Sequence, residues 1–201
     1  MIILDLFAGK GGELRRAQIE ALGHKYVTLD INPRFGCDIT ADIMSIDDLG
    51  LYDFIWASVP CDAFSVASIG HHWNKETRQP KTDKARYMID LVKHTIKLIN
   101  ESSKIGWIIE NPVGMLRKQD FMQDFKRQTV HYCQYGEDRQ KPTDIWTCGL
   151  NWVGRPVCKR GAPCHEAAPR GSRTGTQGMK SYADKSVVPL ELWKEILEAV
   201  K

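Results

Sequence analysis

Four short apolar runs, each ending in a polar or turn residue, constrain this chain more than any other feature. They are Ile2-Ile3-Leu4-Asp5-Leu6-Phe7, Tyr26-Val27-Thr28-Leu29-Asp30, Phe54-Ile55-Trp56-Ala57-Ser58 and Ile105 to Glu110. Continuous runs of this length are the pattern of strands buried on both faces, as in a parallel sheet. Helix-type stretches lie between them. Glu13 to Leu22 carries good helix formers, with Gly23 where a helix C-terminus wants it. Lys81 to Asn100 spaces Tyr87, Met88, Leu91, Val92, Ile96, Leu98 and Ile99 mainly three and four apart, which makes one buried face. Phe121 to Phe125 reads as a further helical stretch, and Leu190 to Val200, after Pro189, as a last helix. Strands alternating with helices at this spacing predict the α/β class, with a doubly wound, Rossmann-like sheet.

At 201 residues the chain is long enough for one such domain with a small appendage. A net charge of +3 neither demands nor excludes a nucleic-acid partner. No run of 18 apolar residues predicts a membrane span, and MIILDLFAGKGG does not read as a secretory leader. A cytoplasmic location with reduced thiols is therefore expected.

The first turn, Phe7-Ala8-Gly9-Lys10-Gly11-Gly12, holds three glycines in four residues, so a ligand can approach the backbone and the N–H groups of the following helix. Asp30 ends the second strand, where a carboxylate can accept from the two hydroxyls of a ribose, or else serve the turn before Asn32-Pro33. Asp42 can accept from an exocyclic amine, or be one of several solvated acids. Together they predict a nucleoside cofactor. No Lys-Ser/Thr pair follows the glycines, which disfavours ATP.

Val59-Pro60-Cys61-Asp62-Ala63-Phe64-Ser65 directly follows a predicted strand. A thiol there, at the N-terminus of an expected helix, would have its pKa lowered; the plainer alternative is a buried structural cysteine. Trp107-Ile108-Ile109-Glu110-Asn111-Pro112 brings a carboxylate to the neighbouring strand end. A thiol and a carboxyl in one crevice suit nucleophilic attack paired with proton donation.

These residues resemble the DNA cytosine-5 methyltransferase family. Asp5 to Gly12 looks like its first motif, Pro60 to Ser65 its nucleophile motif, and Glu110-Asn111-Pro112 its Glu-Asn-Val motif. Tyr135-Gly136 resembles the start of the eighth, and Asp184-Lys185-Ser186-Val187-Val188 the last, usually Gly-Asn-Ser-Val. Lys-Pro-Thr-Asp-Ile-Trp at Lys141 to Trp146 resembles a compact phage and prophage subgroup. The resemblance implies a methyltransferase fold, S-adenosylmethionine as cofactor and DNA as partner, with a flipped target base. It assigns Cys61 as nucleophile and Glu110 as the group holding cytosine N3 and the 4-amino group. It lines the cofactor site with Phe7, Gly9, Gly11, Gly12, Asp30, Ile31, Asp42, Ile43, Pro60 and Ser186.

Two departures stand out. The family's eighth motif is Gln-x-Arg-x-Arg; here Lys141 and Thr143 fall at the arginines and Arg139 at the Gln, so Arg139 and Lys141 are the candidate substitutes. Only residues 147–183 separate Trp146 from the last motif, where relatives of narrow specificity carry a long target-recognition domain. Arg155 to Lys180 holds six basic residues against the single Glu166 and is rich in Gly, Pro, Ser and Thr. This predicts a loop-built module contacting phosphates, with short or relaxed target specificity. The expected division is a catalytic domain at 1–147, a basic module at 148–183 and a returning helix at 184–201, as a monomer.

Four of the six cysteines lie after residue 130. Cys158, Cys164 and His165, with Cys133 or Cys148, have the donor types of a structural zinc site; the alternative is reduced thiols packed under a loop. His71 and His72 read as loop residues near DNA. Trp73 reads as a packed tryptophan or a wedge into the duplex. Three rival functions share these motifs: methylation of RNA cytosine, a catalytically silent nucleic-acid-binding protein, and transfer of a group other than plain methyl.

Overall fold

The computed structural model describes residues 1–159, 161–166 and 187–200. Seven strands form one sheet: β1 (Ile2–Leu6), β2 (Lys25–Asp30), β3 (Ile39–Thr40), β4 (Tyr52–Ser58), β5 (Ser103–Pro112), β6 (Lys126–His131) and β7 (Pro142–Cys148). The order is β3-β2-β1-β4-β5-β7-β6. β1 to β5 run parallel, and β7 is antiparallel to both of its neighbours. The helices are α1 (Gly9–Ala21), α2 (Ile69–His72), α3 (Asp83–Ser102) and α4 (Leu190–Ala199).

Side-chain alternation along the strands sends neighbours to opposite faces. Leu4, Leu6, Ile55, Ala57, Trp107 and Ile109 pack against Met88, Leu91, Val92, Leu98 and Ile99 of α3. Ile3, Phe54, Trp56 and Ile108 pack on the other face against Ile19 of α1 and Leu192, Trp193, Ile196 and Leu197 of α4. Trp193 stacks on Trp56 with ring centroids 3.7 Å apart. The doubly wound α/β expectation is borne out.

Two local expectations are corrected, and one element is new. α1 begins at Gly9, not Glu13, so the glycines lie in its first turn. A Cβ on Gly12 would sit 2.9 Å from the Ala8 Cβ and 3.1 Å from the Thr28 Cγ2, and one on Gly11 would meet the Arg15 guanidinium at 2.5 Å. Gly12 therefore lets α1 lie close on β2, and Gly11 leaves room for the Arg15 guanidinium. Residues 121–125 hold no helix beyond the 3-10 turn Asp120–Met122, because the chain must extend into β6 at once. The hairpin of β6 and β7 had no counterpart in the sequence reading.

Asp5, fully buried on β1, receives hydrogen bonds from Arg15 on α1 (2.6 Å) and the Tyr26 hydroxyl on β2. Burial raises the Asp5 pKa, with Arg15 and Tyr26 opposing it. The first motif's acid thus ties three elements together.

Candidate active site

In an open α/β sheet, ligands sit beyond the carboxyl ends of the strands where the order reverses, here between β1 and β4. The backbone leaving β1 is contorted there, with Phe7 at φ 59° and Gly9 at φ 53°. A left-handed phenylalanine is uncommon, and such conformations concentrate at functional sites. Asp30 fastens this turn. Its Oδ2 accepts from the Gly9 N–H at 3.0 Å and its Oδ1 from the Asn32 N–H at 2.8 Å. Beside it Ile31 is 61% exposed, an apolar side chain left in the open next to the carboxylate.

The remaining cofactor candidates fall in different settings. Asp42 accepts from the Met44 N–H and begins a 3-10 turn, so part of its capacity serves the backbone. Ile43 is buried in the core. Gly11 and Gly12 are buried, and Pro60 is half-buried. Ser186 lies outside the described residues.

Cys61 follows β4, but no helix starts at it. Its carbonyl accepts from the N–H groups of Phe64 and Ser65, closing a turn, and α2 begins only at Ile69. The expected lowering of the thiol pKa is corrected accordingly. Burial first, and the Glu110 charge second, raise the Cys61 pKa, and Lys141 pulls it down. Without a helix dipole at the sulfur, desolvation wins.

The loop itself is held from four sides. The Asn111 amide donates to the Val59 carbonyl at 2.8 Å, and the Trp73 indole N–H to the Ala63 carbonyl at 2.7 Å. The Met115 N–H donates to the Phe64 carbonyl at 2.7 Å. Gly114 bridges to Ser65 so closely that a Cβ there would lie 2.1 Å from the Phe64 oxygen. Trp73, fully buried, is the packed tryptophan of the two readings.

Glu110 pairs in register with Ser58 and is 4% exposed. The Tyr132 hydroxyl donates to its Oε1 at 2.8 Å. Because β7 runs antiparallel, its first residues lie against the carboxyl end of β5, with Pro112 opposite Thr143. β6 ends at the same edge, with His131 opposite Pro142. Topology therefore delivers Tyr132 and Lys141 to Cys61 and Glu110.

Lys141 sits at φ 29°, with its Nζ 4.4 Å over the Tyr132 ring. Burial lowers its pKa, while Glu110 and Cys61 raise it. Of the two candidates for the family's arginines, Lys141 acts electrostatically on Cys61, and Arg139 acts on Tyr132 and Lys141. Arg139 is buried and held by Glu137 through bonds of 3.0 and 2.8 Å. Tyr132 was missed from sequence, since nothing local marks a tyrosine that will meet a carboxylate on another strand.

A second cluster lies beyond the end of β6. One ligand atom from each of Cys133, Cys158, Cys164 and His165 falls within 4.8 Å of all the others. This is the expected set, with Cys133 chosen over Cys148, which is exposed at the far end of β7. Arg155, one of the basic residues expected to meet phosphate, instead bonds Glu195 of α4 at 2.7 Å and the Gln134 carbonyl at 2.7 Å. No helix among the described residues is long and apolar enough to cross a membrane.

No protein-family model matches the chain. A Frog virus 3 (isolate Goorha) protein named "Probable DNA (cytosine-5)-methyltransferase" is 27% identical over 183 residues, 86% of this chain and 83% of that protein. Among solved structures, the Entamoeba histolytica methyltransferase EhMeth matches at TM-score 0.50 and 13% identity, over 73% of this chain and 52% of that one. The S. pombe Dnmt2 methyltransferase matches at TM-score 0.46 and 15% identity, over 78% of this chain and 53% of that one. The chain spans about half the length of these two proteins. The likeness to EhMeth shows the α/β fold that the chain shares with that protein, and the viral relative bears out the family resemblance of the sequence.

Proposed function

We propose that this protein transfers a methyl group from S-adenosylmethionine to carbon 5 of cytosine in DNA, with Cys61 as covalent nucleophile. The observation that carries the reading is the convergence of Cys61, Glu110 and Lys141 at the ends of β4, β5 and the β6–β7 hairpin, electrostatically coupled to one another. The viral relative supports cytosine as the substrate base and DNA as the polymer.

The turn of Phe7 and Gly9, the Asp30 carboxylate and exposed Ile31 suit a nucleoside: an acid for ribose hydroxyls and an apolar surface for a purine. Bound there, S-adenosylmethionine supplies an electrophilic methyl group at its sulfonium. The Cys61 thiolate adds to C6 of the base and breaks its aromaticity, so that C5 becomes enamine-like and nucleophilic. Glu110, anchored by Tyr132, holds N3 and the 4-amino group and favours the N3-protonated base that accepts the thiolate. Lys141 offsets part of the cost of forming that thiolate in a buried loop. After C5 is methylated, a base removes the C5 proton, the C5–C6 double bond re-forms and Cys61 departs. A stacked base cannot present C6 to a thiol, so the target is flipped out or single-stranded. The short segment between Trp146 and the last motif supports short or relaxed target specificity.

The test is a trap. Full-length protein is incubated with S-adenosylmethionine and duplex DNA containing 5-fluorocytosine, whose fluorine cannot leave as a proton. A denaturation-resistant adduct that vanishes in Cys61→Ala is expected. An adduct only on RNA would move the substrate to RNA, and no adduct on any polymer would reject the covalent mechanism.

A further inference from the structure

The segment from Val153 to Glu166 contains no buried residue among those described, and Val153 and Val157 are exposed at 74% and 52%. Hydrophobic burial therefore does not fix its path. It is nonetheless tied to the body of the protein at several points. The Gly154 N–H donates to Gln128 Oε1, the Arg155 N–H to the Tyr135 hydroxyl, and the Glu166 N–H to the Asp138 carbonyl. Its Cys158, Cys164 and His165 close on Cys133, which belongs to the 3-10 turn Tyr132–Tyr135.

The spacing within this cluster is that of a metal tetrahedron. Cys133 Sγ lies 3.3 Å from Cys158 Sγ and 3.7 Å from Cys164 Sγ, and His165 Nδ1 lies 3.6 and 3.5 Å from the sulfurs of Cys158 and Cys164. Zinc–sulfur bonds of about 2.3 Å in a tetrahedron separate the sulfurs by about 3.8 Å. Outer donors are present as well. The Gln134 amide reaches Cys164 Sγ at 3.3 Å and the Gln140 amide reaches Cys158 Sγ at 3.4 Å. Such outer hydrogen-bond donors orient metal ligands and tune the site.

We infer that Cys133, Cys158, Cys164 and His165 bind one structural zinc ion that staples residues 153–166 to the turn after β6. Three thiolates and an imidazole are a soft donor set, and four protein ligands leave no open position for catalysis. The ion substitutes for the missing hydrophobic core of this segment. The staple borders the active site from outside, since Cys133 follows Tyr132 and Gln140 precedes Lys141. Zinc binding does not depend on the proposed methyl transfer.

The experiment is elemental analysis of the full chain, purified under reducing conditions without chelator and also after reconstitution with Zn2+ alone. About one zinc per chain is expected, along with a melting temperature that falls on chelation and recovers with Zn2+. Cys148→Ser, outside the cluster, should keep full occupancy, whereas Cys158→Ser should lose most of it. Should Cys158→Ser fail to fold, chelator competition on His165→Ala and His165→Cys separates the outcomes. The alanine variant should bind zinc at least about 10-fold more weakly, and the cysteine variant should retain it. Absence of zinc after reconstitution, or unchanged affinity in His165→Ala, would overturn the assignment.

Discussion

The Tyr132 hydroxyl donates a 2.8 Å hydrogen bond to Oε1 of Glu110, joining the turn after β6 to the carboxyl end of β5. Both groups are buried, so neither has water as an alternative partner. Removing the donor should misorient the carboxyl without emptying the space around it. Tyr132→Phe is therefore expected to lower kcat about 10- to 100-fold, the equivalent of a hydrogen bond to a charged group at about 1.5–3 kcal/mol. KM for S-adenosylmethionine should stay within about twofold. Single-turnover methylation of DNA checks this, and an unchanged kcat would remove Tyr132 from the site.

The pH profile follows from the Cys61 thiol. Its pKa is raised by burial first and by Glu110 second. Below a raised pKa the thiolate fraction grows about tenfold per pH unit, so the rate of adduct formation should climb from about pH 7 to about pH 9. Lys141→Met removes the cation that lowers this pKa, and the rising limb should move further alkaline. Rates of 5-fluorocytosine trapping across that window report the limb directly; a flat profile in both proteins would mean that thiol ionisation does not control the attack.

Gly114 tests how tightly the Cys61 loop is clamped. An added Cβ would lie 2.1 Å from the Phe64 carbonyl oxygen, which belongs to backbone and cannot swing aside. Gly114→Ala should destabilise the fold by about 1–3 kcal/mol and depress trapping more strongly than stability alone accounts for. Urea denaturation and adduct yield, measured on the same preparation, separate the two effects. An alanine variant with normal trapping would show that the loop tolerates displacement.

The Asp5–Arg15 pair is a structural counterpart. Asp5→Asn leaves the Arg15 guanidinium buried without its countercharge. The expected loss is about 3–5 kcal/mol of unfolding free energy, because the uncompensated charge keeps its desolvation cost. A loss below about 1 kcal/mol in urea would mean that α1 is held by apolar packing alone.

Local signals were legible wherever neighbours in sequence make the structure. The apolar runs at Ile2, Tyr26, Phe54 and Ile105 became β1, β2, β4 and β5, and the spacing of Met88, Leu91, Val92 and Ile99 became the buried face of α3. The hairpin of β6 and β7 was not legible, since Lys126 to His131 is polar and β7 begins with a proline. Cys61 was found as a residue, yet its environment was misjudged. The turn that closes on its carbonyl looks in sequence like the start of a helix.

Sequence alone determined which chemical groups stand at the strand ends: the glycines and Phe7, Asp30, Cys61 and Glu110, with the sulfur and imidazole donors of Cys133, Cys158, Cys164 and His165. Strand periodicity and turn chemistry act over a few residues, so the chain itself carries them. Tertiary structure alone decided that Tyr132 meets Glu110, that Lys141 comes to Cys61, and that Cys133 and not Cys148 completes the cluster. Each of those choices follows from inserting β7 antiparallel beside β5, which brings one end of the hairpin to the site and sends Cys148 to the other end of the sheet. The charge state of the thiol was likewise beyond local reading, because desolvation depends on everything packed around the sulfur.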